Sequence, residues 1–133
     1  MKWLGEIDMS LMQAVPTFWR VVRAPQSKND VVSQTVGVLS GHFGGIVNGH
    51  RSFRTRGLWV AASVRRHGVA MMLMNAAFDQ ARRENCTSAW TFPRESSMPF
   101  YESAGFKRVG AWVGVNDANA GEFGPNCYAL ATF

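Results

Sequence analysis

The sequence predicts a mixed α/β fold with one mostly antiparallel sheet covered by helices. Two observations carry that expectation. Runs rich in aromatic and β-branched residues recur along the chain, with turn residues between them. One long stretch, Gly68 to Arg83, switches to a helical period. The 133 residues suit a single domain spanning 1–133. A chain of this size buries about two-thirds of its unfolded surface, enough for one core without metal or disulfide staples.

The elements follow in order. Residues 5–14 place Ile7, Leu11 and Ala14 on one face, a short helix that Pro16 stops. Thr17 to Ala24 reads as a strand, followed by a PQSKND turn. Val31 to Phe43 reads as a second strand, in which Gly37 and Gly41 point to a bulge or a close backbone contact. The segment GGIVNGHRS reads as a loop or hairpin tip, and Phe53 to Val64 as a third strand. The helix from Gly68 to Arg83 puts Val69, Met72, Leu73, Ala76 and Gln80 on one face, with Ala70, Met74, Ala77 and Ala81 beside it. Its methionines are assigned to the core, and Arg82 and Arg83 suit the negative end of its dipole. Thr87 to Phe92 is a short strand ended by Pro93. Residues 96–104 form a short helix closed by Gly105. Phe106 to Val115 and Cys127 to Phe133 are the last strands, with a Gly/Asn loop over 116–126.

Composition narrows the function classes. With 47% hydrophobic and 17% charged residues, the chain is not a disordered one. The longest apolar run, Val69 to Phe78, is too short to span a bilayer, and no secretory signal is expected. Cys86 and Cys127 lack a CxxC spacing, so the expected state is two reduced thiols in a cytoplasmic protein, with no metal site. The charge is uneven. Residues 1–66 hold nine Lys/Arg against three acids, and residues 67–133 hold five against six. Arg51 to Arg66 contains five Arg and no acid, which points to an anionic partner or to a solvated basic face.

The chemistry concentrates at LWVAASVRRHGVA, residues 58–70. A strand runs into a short loop with Arg65, Arg66 and His67, and Gly68 opens the helix. The first turn of a helix has unpaired N–H groups and a dipole that favours an anion. A glycine there lets the backbone approach a phosphate, and flanking Arg side chains add charge-assisted hydrogen bonds. Neither a Walker A loop nor GxGxxG is present.

Arg65-Arg66-His67-Gly68-Val69-Ala70 resembles the R/Q-x-x-G-x-G/A signature of the GNAT superfamily of N-acetyltransferases. Leu58-Trp59-Val60 looks like that family's L-x-V strand. Tyr101-Glu102-Ser103-Ala104-Gly105-Phe106 is similar to its Y-x-x-x-G-F signature. The resemblance implies a GNAT-like acyl-CoA N-acyltransferase fold, shortened at the N-terminus. It implies transfer of an acetyl group from acetyl-CoA to a primary amine by direct attack. Trp59, Val60 and Ala61 would pair with the pantetheine arm. Arg65, Arg66, His67, Gly68, Val69 and Ala70 would hold the pyrophosphate. A backbone N–H near Val60 would polarise the thioester carbonyl, and Tyr101 would protonate the departing thiolate.

The sequence departs from the family at several points. Arg94 stands where many members have Asn, and Ala62 where many have Pro. The third strand has no acidic base, which leaves Glu95, His42 and His50 as candidates. The short segment before Thr17 implies an acceptor site that is open, completed by a second subunit in a homodimer, or different in kind. Two other readings stand beside this one: a CoA-binding protein without transferase activity, and a basic nucleic-acid-binding module. The acceptor itself is not encoded in any motif.

Overall fold

The computed structural model describes residues 16–25, 33–110 and 128–133. The expected helix over 5–14, the turn after Pro25 and the 116–126 loop lie outside the described residues. Six strands and two helices are seen within them. The strands are β1 (Phe18–Pro25), β2 (Ser33–Val47), β3 (His50–Val60), β4 (Ser88–Thr91), β5 (Lys107–Val109) and β6 (Tyr128–Thr132). The helices are α1 (Val69–Arg83) and α2 (Met98–Ser103). The sheet order is β1-β2-β3-β4-β6-β5, with one parallel pair, β3 and β4, and antiparallel pairs elsewhere. The mixed, mostly antiparallel sheet is therefore as expected.

Two boundaries differ from the sequence reading. Gly44 to Val47, read as part of a loop, continue β2. The turn is only Asn48-Gly49, with φ of 51° and 79°. Both central residues lie at positive φ, the type I′ pattern that matches strand twist. The Gly44-Gly45 pair escapes the glycine penalty by forming a bulge: both stand opposite Ser52, and Gly45 has φ 85°. The third strand also ends earlier than expected, at Val60, and Ala62–Val64 form a 3-10 turn.

A second bulge decides what β3 presents to each side of the sheet. Gly57 and Leu58 both stand opposite Leu39, and Gly57 has φ 65°. One extra residue reverses the side-chain alternation. Before the bulge, Phe53 points into the main core. After it, Leu58 and Val60 pack against that core, and Trp59 is about half exposed.

The core lies between the sheet and α1. Its centre is Leu39, Phe53, Leu73, Met74, Ala77 and Ala89, all fully buried. Phe78, Tyr101, Phe106 and Phe133 extend it under α2 through tilted and edge-on ring contacts. The buried stripe of α1 is Val69, Leu73, Met74, Ala77, Phe78 and Ala81. Met72, assigned above to the core face, is 57% exposed, so the stripe is rotated from the predicted face. Bulky Phe78 replaces Met72 as the inward residue, since burying an aromatic ring removes more apolar surface from water.

Gly37 sets how closely α1 approaches the sheet. A Cβ there would lie 2.7 Å from Val69 Cγ1 and 3.1 Å from Leu73 Cδ1. The close contact expected at Gly37 is thus a helix contact. Gly37→Val should lower the unfolding free energy by about 1–3 kcal/mol through overpacking. Chemical denaturation of both proteins checks this, and equal stability would mean that α1 shifts freely.

Candidate active site

The parallel strands part company. β3 and β4 pair only over Ser52–Arg54 and Ser88–Trp90. Beyond that, β3 takes its extra residue at Gly57, and β4 ends at Thr91, two residues before Pro93. The open wedge is a cleft of about 740 Å³. Trp59, Val60, Arg65, Ala70 and Tyr101 line it, together with Arg54, Arg56, Thr91, Phe92 and Arg94. The cleft thus gathers residues from both segments singled out in the sequence.

At one end lies the N-terminus of α1. Its N-cap, Gly68, has φ 79° and supplies no side-chain cap. The first turn holds no acidic residue either. The opening N–H groups therefore lack the usual internal acceptor, the condition under which a helix N-terminus favours an anion. A Cβ on Gly68 would meet nothing within 4 Å, so glycine is needed there for its backbone angle, with open space above it. Arg66 also sits at positive φ, 67°. Arg65 and Ala70 line the cleft, and Arg66, His67 and Gly68 are exposed between them. Val69 is buried and packs its side chain against Gly37.

Along the strand, Trp59 and Val60 border the cleft. Ala61 is held by the backbone at both its polar groups. Its N–H donates to the Val36 carbonyl at 2.8 Å, and its carbonyl accepts from Val64 N–H at 3.1 Å.

Tyr101 sits on α2 at the cleft wall, 6% exposed. Its ring packs edge-on against Phe100 and Phe106. Burial raises its pKa above the ordinary phenol value, and a hydrogen bond with the Thr91 side chain works weakly against that rise. Thr91 in turn donates to the Thr55 carbonyl at 3.0 Å, which ties β4 to β3 just where their ladder ends.

The basic segment does not act as one patch. Arg51 stacks on Phe43, 4.3 Å from the ring centroid, and its Nε donates to the Glu84 carbonyl. Arg54 is 7% exposed and lies over Trp90 and Phe92, 4.8 and 5.2 Å from their ring centroids. Burial, with help from the nearby Arg56 charge, lowers its pKa to about 10. It remains a cation at neutral pH. The sequence marked the Arg51–Arg56 segment for an acidic acceptor or the cofactor's phosphates without singling out Arg54. The alternation Ser52-Phe53-Arg54 was the available signal, because it puts Arg54 on the face opposite Phe53.

None of the three candidate bases is among the residues that line the cleft. His50 Nδ1 is 2.8 Å from Thr87 Oγ1, and Glu95 is exposed on a 3-10 turn. His42 is buried beside Arg54 in the β2–β3 register. Its Nδ1 lies 2.7 Å from the Phe43 carbonyl, so this nitrogen donates, while Nε2 has no hydrogen-bond partner.

The comparisons agree with this geometry. The family model described as "Acetyltransferase (GNAT) family" matches residues 7–106. No curated protein matches the chain. Among solved structures, the chain resembles the NatC complex bound to Gag peptide and CoA. The TM-score is 0.66 at 19% identity, covering 86% of this chain and 70% of the other. An acetyltransferase from Bacillus cereus gives TM-score 0.60 at 16% identity, over 90% and 77% of the two chains. The PaiA N-acetyltransferase from Thermoplasma acidophilum, in complex with coenzyme A, gives 0.53 at 13%, over 75% and 55%. Among the described residues no helix is long and apolar enough to cross a membrane.

His42 makes a pH signature. Burial, and then the charges of Arg54 and Arg56, hold its pKa below the ordinary 6.5, outweighing the bond to Phe43 that raises it. The unfolded chain therefore binds this proton more readily. The stability contribution is complete above pH 6.5 and is lost as pH falls through the lower folded value. In His42→Gln, unfolding midpoints between pH 7 and about pH 5 should fall less steeply than in the wild type. Parallel slopes would assign the acid sensitivity elsewhere.

Proposed function

Since the chain belongs to the GNAT family of acetyltransferases, we propose that it moves an acetyl group from acetyl-CoA to a primary amine by direct attack. The observation that carries the proposal is one cleft that joins an uncapped helix N-terminus to a buried phenol. The N–H groups of Arg66 and of Gly68 through Ala70 take the pyrophosphate, since those of Arg65 and His67 already donate to the Ala62 and Val64 carbonyls, and the Arg65 and Arg66 side chains add charge. The pantetheine arm lies along the unpaired edge of β3 at Trp59 and Val60. Ala61 positions this edge without offering its N–H, which Val36 already holds.

The amine nitrogen attacks the thioester carbon. A backbone N–H near Val60 stabilises the negative charge that develops on oxygen. As the intermediate collapses, the C–S bond breaks and the thiolate takes the Tyr101 proton. The proton lost by the attacking nitrogen returns through solvent to the phenolate. The raised pKa of Tyr101 suits this role, because the phenol holds its proton throughout the neutral range. The reading in which the chain binds CoA without transfer rests on a different observation. Among the described residues, the cleft lining contains no carboxylate or imidazole to receive the amine proton.

Calorimetric titration with acetyl-CoA tests the first half of the proposal. Micromolar binding at one site per chain is the expected result, and no binding would overturn it. Gly68→Asp should abolish that binding, because a carboxylate would occupy the phosphate position. Gly68→Ala separates the backbone effect, since alanine at positive φ costs about 1–2 kcal/mol without adding charge. Tyr101→Phe tests the second half. It should lower kcat by about ten- to a thousand-fold and leave acetyl-CoA affinity nearly unchanged. An unchanged kcat would remove Tyr101 as the acid.

A further inference from the structure

The cleft passes through the sheet, and its two faces differ in chemistry. On the α1 face stand Tyr101 and the residues of the main core. On the other face stand Arg54 and Arg56, placed there by the alternation before the Gly57 bulge. The described lining contains four arginines, Arg54, Arg56, Arg65 and Arg94, and no acid. Arg65 adjoins the α1 N-terminus, at the phosphate end. Arg54 lies at the deep end, where β3 and β4 are still joined, and Arg56 follows two residues further along β3, past the last pair.

We infer that the acceptor is an amine that also bears a carboxylate, and that Arg54 is the residue that receives the carboxylate. The inference rests on the acetyltransfer reading above and names the substrate class of that site. Three features support it. The guanidinium is withdrawn from water, which strengthens its attraction for an anion. It lies over the adjoining Trp90 and Phe92 rings, 4.8 and 5.2 Å from their centroids, which holds it at the cleft wall. Arg56 adds a second positive charge, felt as a contribution to the lowered Arg54 pKa. A cationic polyamine would meet like charge at this end of the cleft, at a cost in affinity.

The test uses adducts in which CoA sulfur is joined through an acetyl bridge to the nitrogen of glycine, β-alanine or γ-aminobutyrate. Each is paired with its carboxamide. Calorimetry measures both members against the wild type, Arg54→Gln and Arg54→Lys, with CoA itself as the reference. In the wild type, at least one carboxylate adduct should bind about ten- to a hundredfold tighter than its amide. That ratio should fall to near unity in Arg54→Gln and survive in part in Arg54→Lys, while CoA affinity stays constant and reports that each variant is folded. Equal binding of acid and amide by the wild type, across all three lengths, would overturn the inference and leave the acetyltransfer reading standing. Failure of CoA itself to bind the wild type would overturn the acetyltransfer reading and the inference together.

Discussion

Two neighbouring parallel strands can stay paired only while both keep the pleat and both have donors to offer. In this protein the two strands pair over three residues and then part, three residues short of a bulge on one and of a proline on the other. β3 takes an extra residue at Gly57, and β4 runs into Pro93. The rest of the architecture accommodates this break. Trp90 anchors the joined end, with its indole N–H donating to the Gly44 carbonyl at 2.9 Å. Thr91 bonds across the point of parting. The Gly44 and Gly45 bulge lets β2 follow the bend without leaving β3. A sheet that had simply continued would bury more backbone hydrogen bonds, but it would have no interior space for a ligand.

The break also explains why charges of one sign are tolerated inside. An arginine withdrawn from water carries a desolvation cost that is several-fold larger than the cost of an exposed one. Arg54 offsets part of this cost by lying over two aromatic faces. Burial first, and then the Arg54 and Arg56 charges, hold the pKa of His42, its neighbour across the ladder, below the ordinary value. Electrostatics and sheet geometry are therefore one problem at this site. The position that opens the cleft is the position that crowds its cations.

Much of the site was legible because its determinants are local. The loop that opens α1 needs a strand, a glycine at positive φ and a helix in direct succession, and residues 58–70 spell that order. Tyr101 was legible through its place before Gly105 and Phe106. The features that escaped depend on distant partners. Arg54 is a cleft residue only because Trp90 on β4 and Phe92 just beyond it come to lie beside it. The rotation of α1 that exposes Met72 follows from Phe78 meeting Phe106 and Phe133. Ala61 matched the motif, yet its N–H was already engaged by Val36 on β2. Strand pairing settles such questions, and a single sequence does not display it.

The Asn48-Gly49 turn bears on time as well as shape. A hairpin closed by a two-residue turn forms in about 1–10 microseconds, because little chain must be gathered before contacts begin. The union of β3 with β4 has no such shortcut. All of α1 intervenes, and the ends of that long loop must find each other before any ladder bond forms. One wall of the cleft is thus assembled early and the facing wall late. During that interval the β4-facing edge of β3 is a bare template for any extended chain nearby. The polar alternation of Ser52, Arg54 and Arg56 along one side makes that edge a poor one for a stray hydrophobic strand to join.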